Sequence, residues 1–117
     1  MQVTNSDMRK HPRFDLKQPL RVLDTLSGDD MGMLVNVSEE GMMLLGQKSI
    51  VCDGVYQIAI PLKSFSDEDV SLSMGIECLW SNEADIDGKN WSGFRIIDIS
   101  INDKSMLNHM IEQLQDC

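Results

Sequence analysis

The stretch SLSMGIECLW, residues 71–80, constrains the fold more than any other part of the chain. Leu72, Met74, Ile76, Cys78 and Trp80 alternate with Ser71, Ser73, Gly75 and Glu77, a period of two held across the segment. A helix would scatter these apolar side chains around its circumference, whereas a strand gathers them on one face. The pattern predicts a long strand with one buried face, and it points Trp80 inward, to core packing. VYQIAIPL (55–62) repeats the period with Tyr56, Ile58, Ile60 and Leu62, and NWSGFRIIDIS (90–100) supplies a further strand whose Ile96–Ile97 pair blurs the buried face. Shorter candidates are PLRVLDTL (19–26), GMLVNVS (32–38) and GMMLLG (41–46), which makes six strands.

Turn residues separate these runs: Ser27-Gly28-Asp29-Asp30, Glu39-Glu40-Gly41, Cys52-Asp53-Gly54, Ser66-Asp67-Glu68-Asp69 and Asp87-Gly88-Lys89. After Asn102 the period changes, and Met106, Leu107, Met110, Ile111 and Leu114 fall on one helical face, with Asn102 or Ser100 as N-cap. A helix over 103–116 is too short to stand alone in water and must pack on the strands. The predicted fold class is all-β with one C-terminal α-helix. Its architecture is a six-stranded antiparallel β-barrel with the helix across one end, because closure removes exposed edges.

Composition sets the functional frame. At 117 residues, with 42% hydrophobic and 25% charged side chains, the chain is one soluble domain with a modest core. No run approaches the ~18 apolar residues that span a bilayer, so no membrane partner and a cytoplasmic location are expected. Cys52, Cys78 and Cys117 show neither CxxC spacing nor a nearby His pair, which predicts no metal site and no disulfide framework. No base, nucleophile and metal set marks an enzyme.

Charge is placed unevenly. The formal net charge is -9, yet residues 1–21 carry +3 and residues 22–117 carry -12. With six aromatic residues in all and an acidic body, the chain lacks the cationic groove and stacking platform of a nucleic-acid binder. A local basic cluster on an acidic domain suits capture of one small anion. That cluster is RKHPR (9–13), with Arg9, Lys10 and Arg13.

The second informative stretch is VNVSEEGMM (35–43). If Met33, Val35 and Val37 face the core, Asn36 and Ser38 lie side by side on the outer face, with Gly41 after the turn. Asn supplies donors and an acceptor, Ser a hydroxyl, and Gly close approach to the backbone, a set that can read the edge of a polar ring. The same residues also suit an ordinary hairpin.

Arg-x-x-x-Arg followed by Asp/Asn-x-Ser-x-x-Gly at the end of an early strand resembles the paired signature of PilZ domains, bacterial receptors for cyclic di-GMP. The likeness rests on Arg9 and Arg13, then Asn36, Ser38 and Gly41, and GFRIIDIS (93–100) is similar to the family's closing strand. It implies a barrel that binds cyclic di-GMP on its outer surface, needs no cofactor, and folds an N-terminal arm (1–18) over the ligand against a barrel spanning 19–117. Arg9 and Arg13 would clasp phosphate and guanine, since a guanidinium fork donates two bonds and stacks on a base. Asn36 and Ser38 would bond the base edge and Gly41 would leave room for it. Lys10 would add attraction, Phe14 would anchor the arm, and Trp80 would offer a stacking face if it were not in the core. The arm, with few large apolar side chains, is expected to be mobile until ligand orders it.

The function implied is a receptor and adaptor that signals by binding a downstream protein, as a monomer or weak dimer. The alternative is a PilZ-fold module that binds a protein partner without nucleotide.

Overall fold

A computed structural model describes residues 14–46, 50–62, 70–83 and 89–115. Six strands, β1 (Phe14–Asp24), β2 (Asp30–Val37), β3 (Gly41–Gly46), β4 (Val55–Pro61), β5 (Ser71–Glu83) and β6 (Asn90–Asp98), precede one helix, α1 (Ile101–Gln115). The strands pair antiparallel in the order β1-β2-β3-β6-β5-β4 and close into a barrel. This is the architecture that the alternation and the terminal helical period require.

Inward side chains of every strand fill the barrel. Val22, Leu34, Val37, Ile60, Leu72 and Phe94 are wholly buried. The helix closes one end with Leu107, Met110 and Ile111, which are buried against the same core. Ser100, of the two candidate caps, starts it. The Asp103 N–H donates to Ser100 Oγ at 3.1 Å, and that hydroxyl donates to Asp103 Oδ2 at 2.8 Å. Asp103 Oδ1 also accepts the Ser73 N–H of β5 at 3.2 Å, so the cap ties the helix to the sheet.

Two expectations are corrected. β1 begins at Phe14, five residues before the predicted barrel boundary at 19. Phe14 pairs with Val37, Asp15 with Asn36, and Leu16 joins the core. Phe14 and Leu16 flanking Asp15 already alternate with period two, so residues 14–18 belong to the strand and not to the arm. The second correction concerns facing. Met31, Leu34 and Val37 are the buried residues of β2, a spacing of three, in place of Met33, Val35 and Val37.

Backbone bulges cause this shift. Between the pairs Leu34↔Leu44 and Asn36↔Met43, Val35 is one residue too many for β3 to match. Met31 is surplus in the same way between Val22↔Gly32 and Leu23↔Asp30. Gly32 there has φ +125°, and a Cβ at this position would lie 2.8 Å from the Leu45 carbonyl oxygen. Ile97 is surplus on β6, which resolves the Ile96–Ile97 ambiguity: Ile96 pairs with Ile76 and packs on the core, and Ile97 is left 45% exposed.

Seam lengths differ. β4 and β5 pair continuously from Val55↔Glu77 to Pro61↔Ser71, whereas β1 meets β4 at Leu23↔Ala59 and Asp24↔Ile58. The predicted turns at 66–69 and 87–88 lie outside the described residues.

Candidate ligand-binding face

The β2–β3 connection is built around Ser38. Its N–H donates to the Gly41 carbonyl at 2.8 Å. Its Oγ accepts the N–H of Gly41 at 3.1 Å and of Glu40 at 3.2 Å, and donates toward the Gly41 carbonyl at 3.4 Å. A serine hydroxyl has one proton and two lone pairs, so the turn uses all of them. Ser38 is 3% exposed. It therefore does not lie beside Asn36 on the outer surface, as strict alternation would have it, but holds the turn together. The Glu40 carbonyl accepts the Ile96 N–H at 2.7 Å, which fastens the turn to β6.

Gly41 is a glycine for a related reason. It pairs with Arg95 across the β3–β6 seam, and a Cβ there would overlap the Phe94 carbonyl oxygen. Its lack of a side chain permits strand pairing, independently of any room it leaves for a ligand.

Asn36 differs from both. It stands on the outer side of β2, half-buried, with Nδ2 3.9 Å from the Met43 sulfur. Its Oδ1 is buried and has no hydrogen-bond partner. An unpaired buried amide oxygen costs about 1–3 kcal/mol, and such groups in native folds mark strain or function.

From Asn36 a row of register partners runs across the sheet. Asp15 pairs with Asn36, Asn36 with Met43, Met43 with Gly93, and Gly93 with Trp80. Partners in register share a face, so these five positions lie on the outside of the barrel. Trp80 is thus outward, not in the core as its phase with Leu72 and Cys78 predicts. Leu79 is the cause: it is an extra residue between Cys78↔Phe94 and Trp80↔Gly93, and it flips the parity of everything after it. The indole lies over Gly93, where a Cβ would overlap its Nε1. With strands about 4.8 Å apart, Asn36 and Trp80 stand roughly 14 Å from each other. The row offers an amide with an unpaired oxygen, a thioether, a bare stretch of backbone and an aromatic plane, a combination suited to a flat polar ring.

Arg9, Lys10 and Arg13 lie outside the described residues. Arg13 directly precedes Phe14, whose partner Val37 is the neighbour of Asn36, so the chain enters the barrel at the Asn36 end of the row.

The PilZ domain family model matches residues 7–113. The chain belongs to the PilZ domain family. This PilZ domain superposes on the PilZ domain with c-di-GMP of YcgR from Escherichia coli with a TM-score of 0.71 and 17% identity, covering 92% of each chain. The inhibitor of motility MotI/DgrA of Bacillus subtilis gives 0.72 at 14% identity, covering 92% of this chain and 51% of the other. The K. pneumonia MrkH–c-di-GMP complex gives 0.67 at 12%, covering 93% and 55%. This chain thus spans about half the length of MotI/DgrA and MrkH. No curated protein sequence matches it closely.

Beside the Trp80 end of this PilZ face lie two thiols. Cys78 is buried, and burial, reinforced by the neighbouring Cys52, raises its pKa above the ordinary thiol value, against a backbone hydrogen bond at Trp80 that lowers it. No helix among the described residues is long and apolar enough to cross a membrane. Sequence reasoning missed that Trp80 faces outward. The available signals were Leu79, an apolar residue in an outward slot of the alternation, and Gly93, which supplies the flat seat opposite.

Proposed function

We propose that this PilZ domain is a cyclic di-GMP receptor that binds the second messenger across the Asn36–Trp80 row. The observation that carries the reading is the buried, unpartnered Oδ1 of Asn36 at one end of a flat outer row that ends in an indole. The amide meets the guanine N1–H and N2–H edge, and Trp80 provides a stacking plane. Arg13, which directly precedes Phe14 in sequence, and Arg9, four residues before Arg13, clasp phosphate and the guanine O6/N7 edge, with Lys10 adding attraction. Ser38 and Gly41 serve the site by fixing the turn that follows Asn36. Neighbours solved with c-di-GMP support the ligand's identity through fold likeness.

The domain acts as an adaptor. Ligand offsets the mutual repulsion of the three cations, so residues before Phe14 settle over the row and form a surface for a downstream protein. The test is calorimetric titration with cyclic di-GMP. Arg9→Ala and Arg13→Ala should each weaken binding more than about tenfold, the scale of charge-assisted hydrogen bonds. Absence of any binding heat for the wild-type chain at high-micromolar ligand would leave the nucleotide-free interaction module as the function.

A further inference from the structure

Asp15 stands at the head of the outward row, and the ligand contacts proposed above leave it without a part. Phe14 packs against the core and Leu16 belongs to it, so the side chain between them points out of the barrel, where Asp15 is exposed. Two other strand carboxylates are committed, Asp30 to Arg21 and Glu77 to Arg95. The Asp15 carboxylate forms no ion pair or hydrogen bond among the described residues. It lies directly across the β1–β2 pairing from Asn36, and residues opposed in an antiparallel pair have Cβ atoms about 4.5–5.5 Å apart. A free carboxylate thus neighbours the amide whose Oδ1 is buried and unpartnered.

We infer that Asp15 is a specificity-determining residue of this face, whose carboxylate accepts the N2–H of a guanine while Asn36 Oδ1 accepts its N1–H. The inference rests on the receptor reading above and deepens it. A guanine edge presents two donors side by side, N1–H and N2–H, whereas an Asn side chain has one acceptor oxygen and an NH2 that can only donate. Asn36 alone therefore leaves one donor without a partner. A carboxylate only accepts, with lone pairs on both oxygens, and a hydrogen bond to an ionised acceptor is roughly twice as strong as one between neutral groups. Asp15 supplies what the amide lacks.

The same charge carries a cost that works as selection. A carboxylate beside the site repels the phosphates of any cyclic dinucleotide, and only a base with an N2 amino group offsets that repulsion with a direct bond. A base without the amino group meets the repulsion alone, and the acceptor built for N2–H stays unfilled. Asp15 then discriminates by what it refuses as well as by what it binds.

The experiment titrates cyclic di-GMP and cyclic di-IMP, which differ only in the N2 amino group, into wild type, Asp15→Ala, Asp15→Asn and Glu112→Ala by calorimetry. Glu112, exposed on α1, controls for the loss of one negative charge. Wild type should prefer cyclic di-GMP by about tenfold or more, the scale of a hydrogen bond to a charged group. Asp15→Ala should lose about that factor for cyclic di-GMP, bind cyclic di-IMP as well as wild type or slightly better, and so lose the preference. Asp15→Asn, which keeps one uncharged acceptor, should fall between, and Glu112→Ala should match wild type with both ligands. Cyclic di-GMP binding that is unchanged or tighter in Asp15→Ala would overturn the assignment, because Asp15 would then act only as a repelling surface charge. Equal losses for the two ligands, or a wild type that does not distinguish them, would overturn it too. In each of these cases wild type still binds cyclic di-GMP and the receptor reading stands; a wild type that binds neither ligand would remove that reading and this one together.

Discussion

Asn36 and Trp80 stand at opposite ends of one outward row, and each follows a one-residue bulge, at Val35 and at Leu79. Beyond that they differ. Asn36 is followed by a turn whose hydroxyl, amides and carbonyl bond one another, and the glycine that ends it would meet backbone if it gained a side chain. Trp80 lies over a glycine whose added side chain would meet the indole itself. The first end is held by main chain and cannot give. The second is held by a side chain and can. On the receptor reading, a face with one rigid and one adjustable edge would orient a ring from the first edge and accommodate it at the second.

The sharpest way to break this contrast is to substitute the two glycines. Gly41→Ala pushes a methyl group into the Phe94 carbonyl and must part β3 from β6, so it should cost about 3 kcal/mol in urea denaturation. Gly93→Ala should stay within about 1 kcal/mol of wild type because the indole swings aside, with the displacement read from Trp80 emission in a Trp91→Phe background. Equal losses would mean that both ends are rigid. Next, Ser38→Ala leaves the Glu40 and Gly41 amides without their acceptor and should cost about 1–3 kcal/mol of stability.

Trp80→Ala and Asn36→Ala sharpen the comparison from the ligand's side. Loss of the indole should weaken cyclic di-GMP by about 1–3 kcal/mol, the range for a stacked base, with little change in melting temperature. Asn36→Ala should weaken it by about 1 kcal/mol and leave stability equal or slightly higher, because it deletes a buried acceptor that has no partner. A stability loss in Asn36→Ala as large as in Ser38→Ala would assign Asn36 to the turn and not to the ligand.

The smallest effect is one of pH. The folded protein holds the Cys78 proton more tightly than the unfolded chain does, chiefly through burial. Stability should therefore be insensitive to this group below about pH 8.5, the free thiol value, and fall as pH rises past it until the folded thiol itself ionises. A Cys78→Ala variant should lose that alkaline decline in denaturation curves taken across the range.

The strands were legible because alternation survives inside each run: Leu72 to Cys78 and the Ile58–Ile60 pair show their buried face directly. The helix was legible from its change of period, which left Asn102 and Ser100 as alternative caps until the Ser100–Asp103 bonds chose between them. What alternation hides is the extra residue. Val35, Leu79 and Ile97 are ordinary β-formers, and surplus length is a property of a strand's partner, which no single run of sequence displays. Hence the facing of Trp80 came out reversed, whereas Ser38 is buried for another reason, because its hydroxyl closes the turn. The motif around Asn36 was visible as residue types, but which of its members is left unpartnered depends on the geometry of the turn. β1 was cut short because Lys17, Gln18 and Pro19 interrupt its pattern; the register there jumps from Asp15↔Asn36 to Leu20↔Leu34.

The brief meeting of β1 with β4 sets an order of assembly. The β2–β3, β4–β5 and β5–β6 pairings join strands adjacent in sequence, whereas the β1–β4 seam must bring Leu23 to Ala59 across two intervening strands and gains little pairing for the loop it closes. The barrel therefore shuts last at this seam and unzips there first. Hydrogen exchange at the amides of Ala59 and Leu23 then proceeds ahead of the β5–β6 core. On the receptor reading, a ligand held at the head of β1 would tighten the whole cylinder from the strand that closes it.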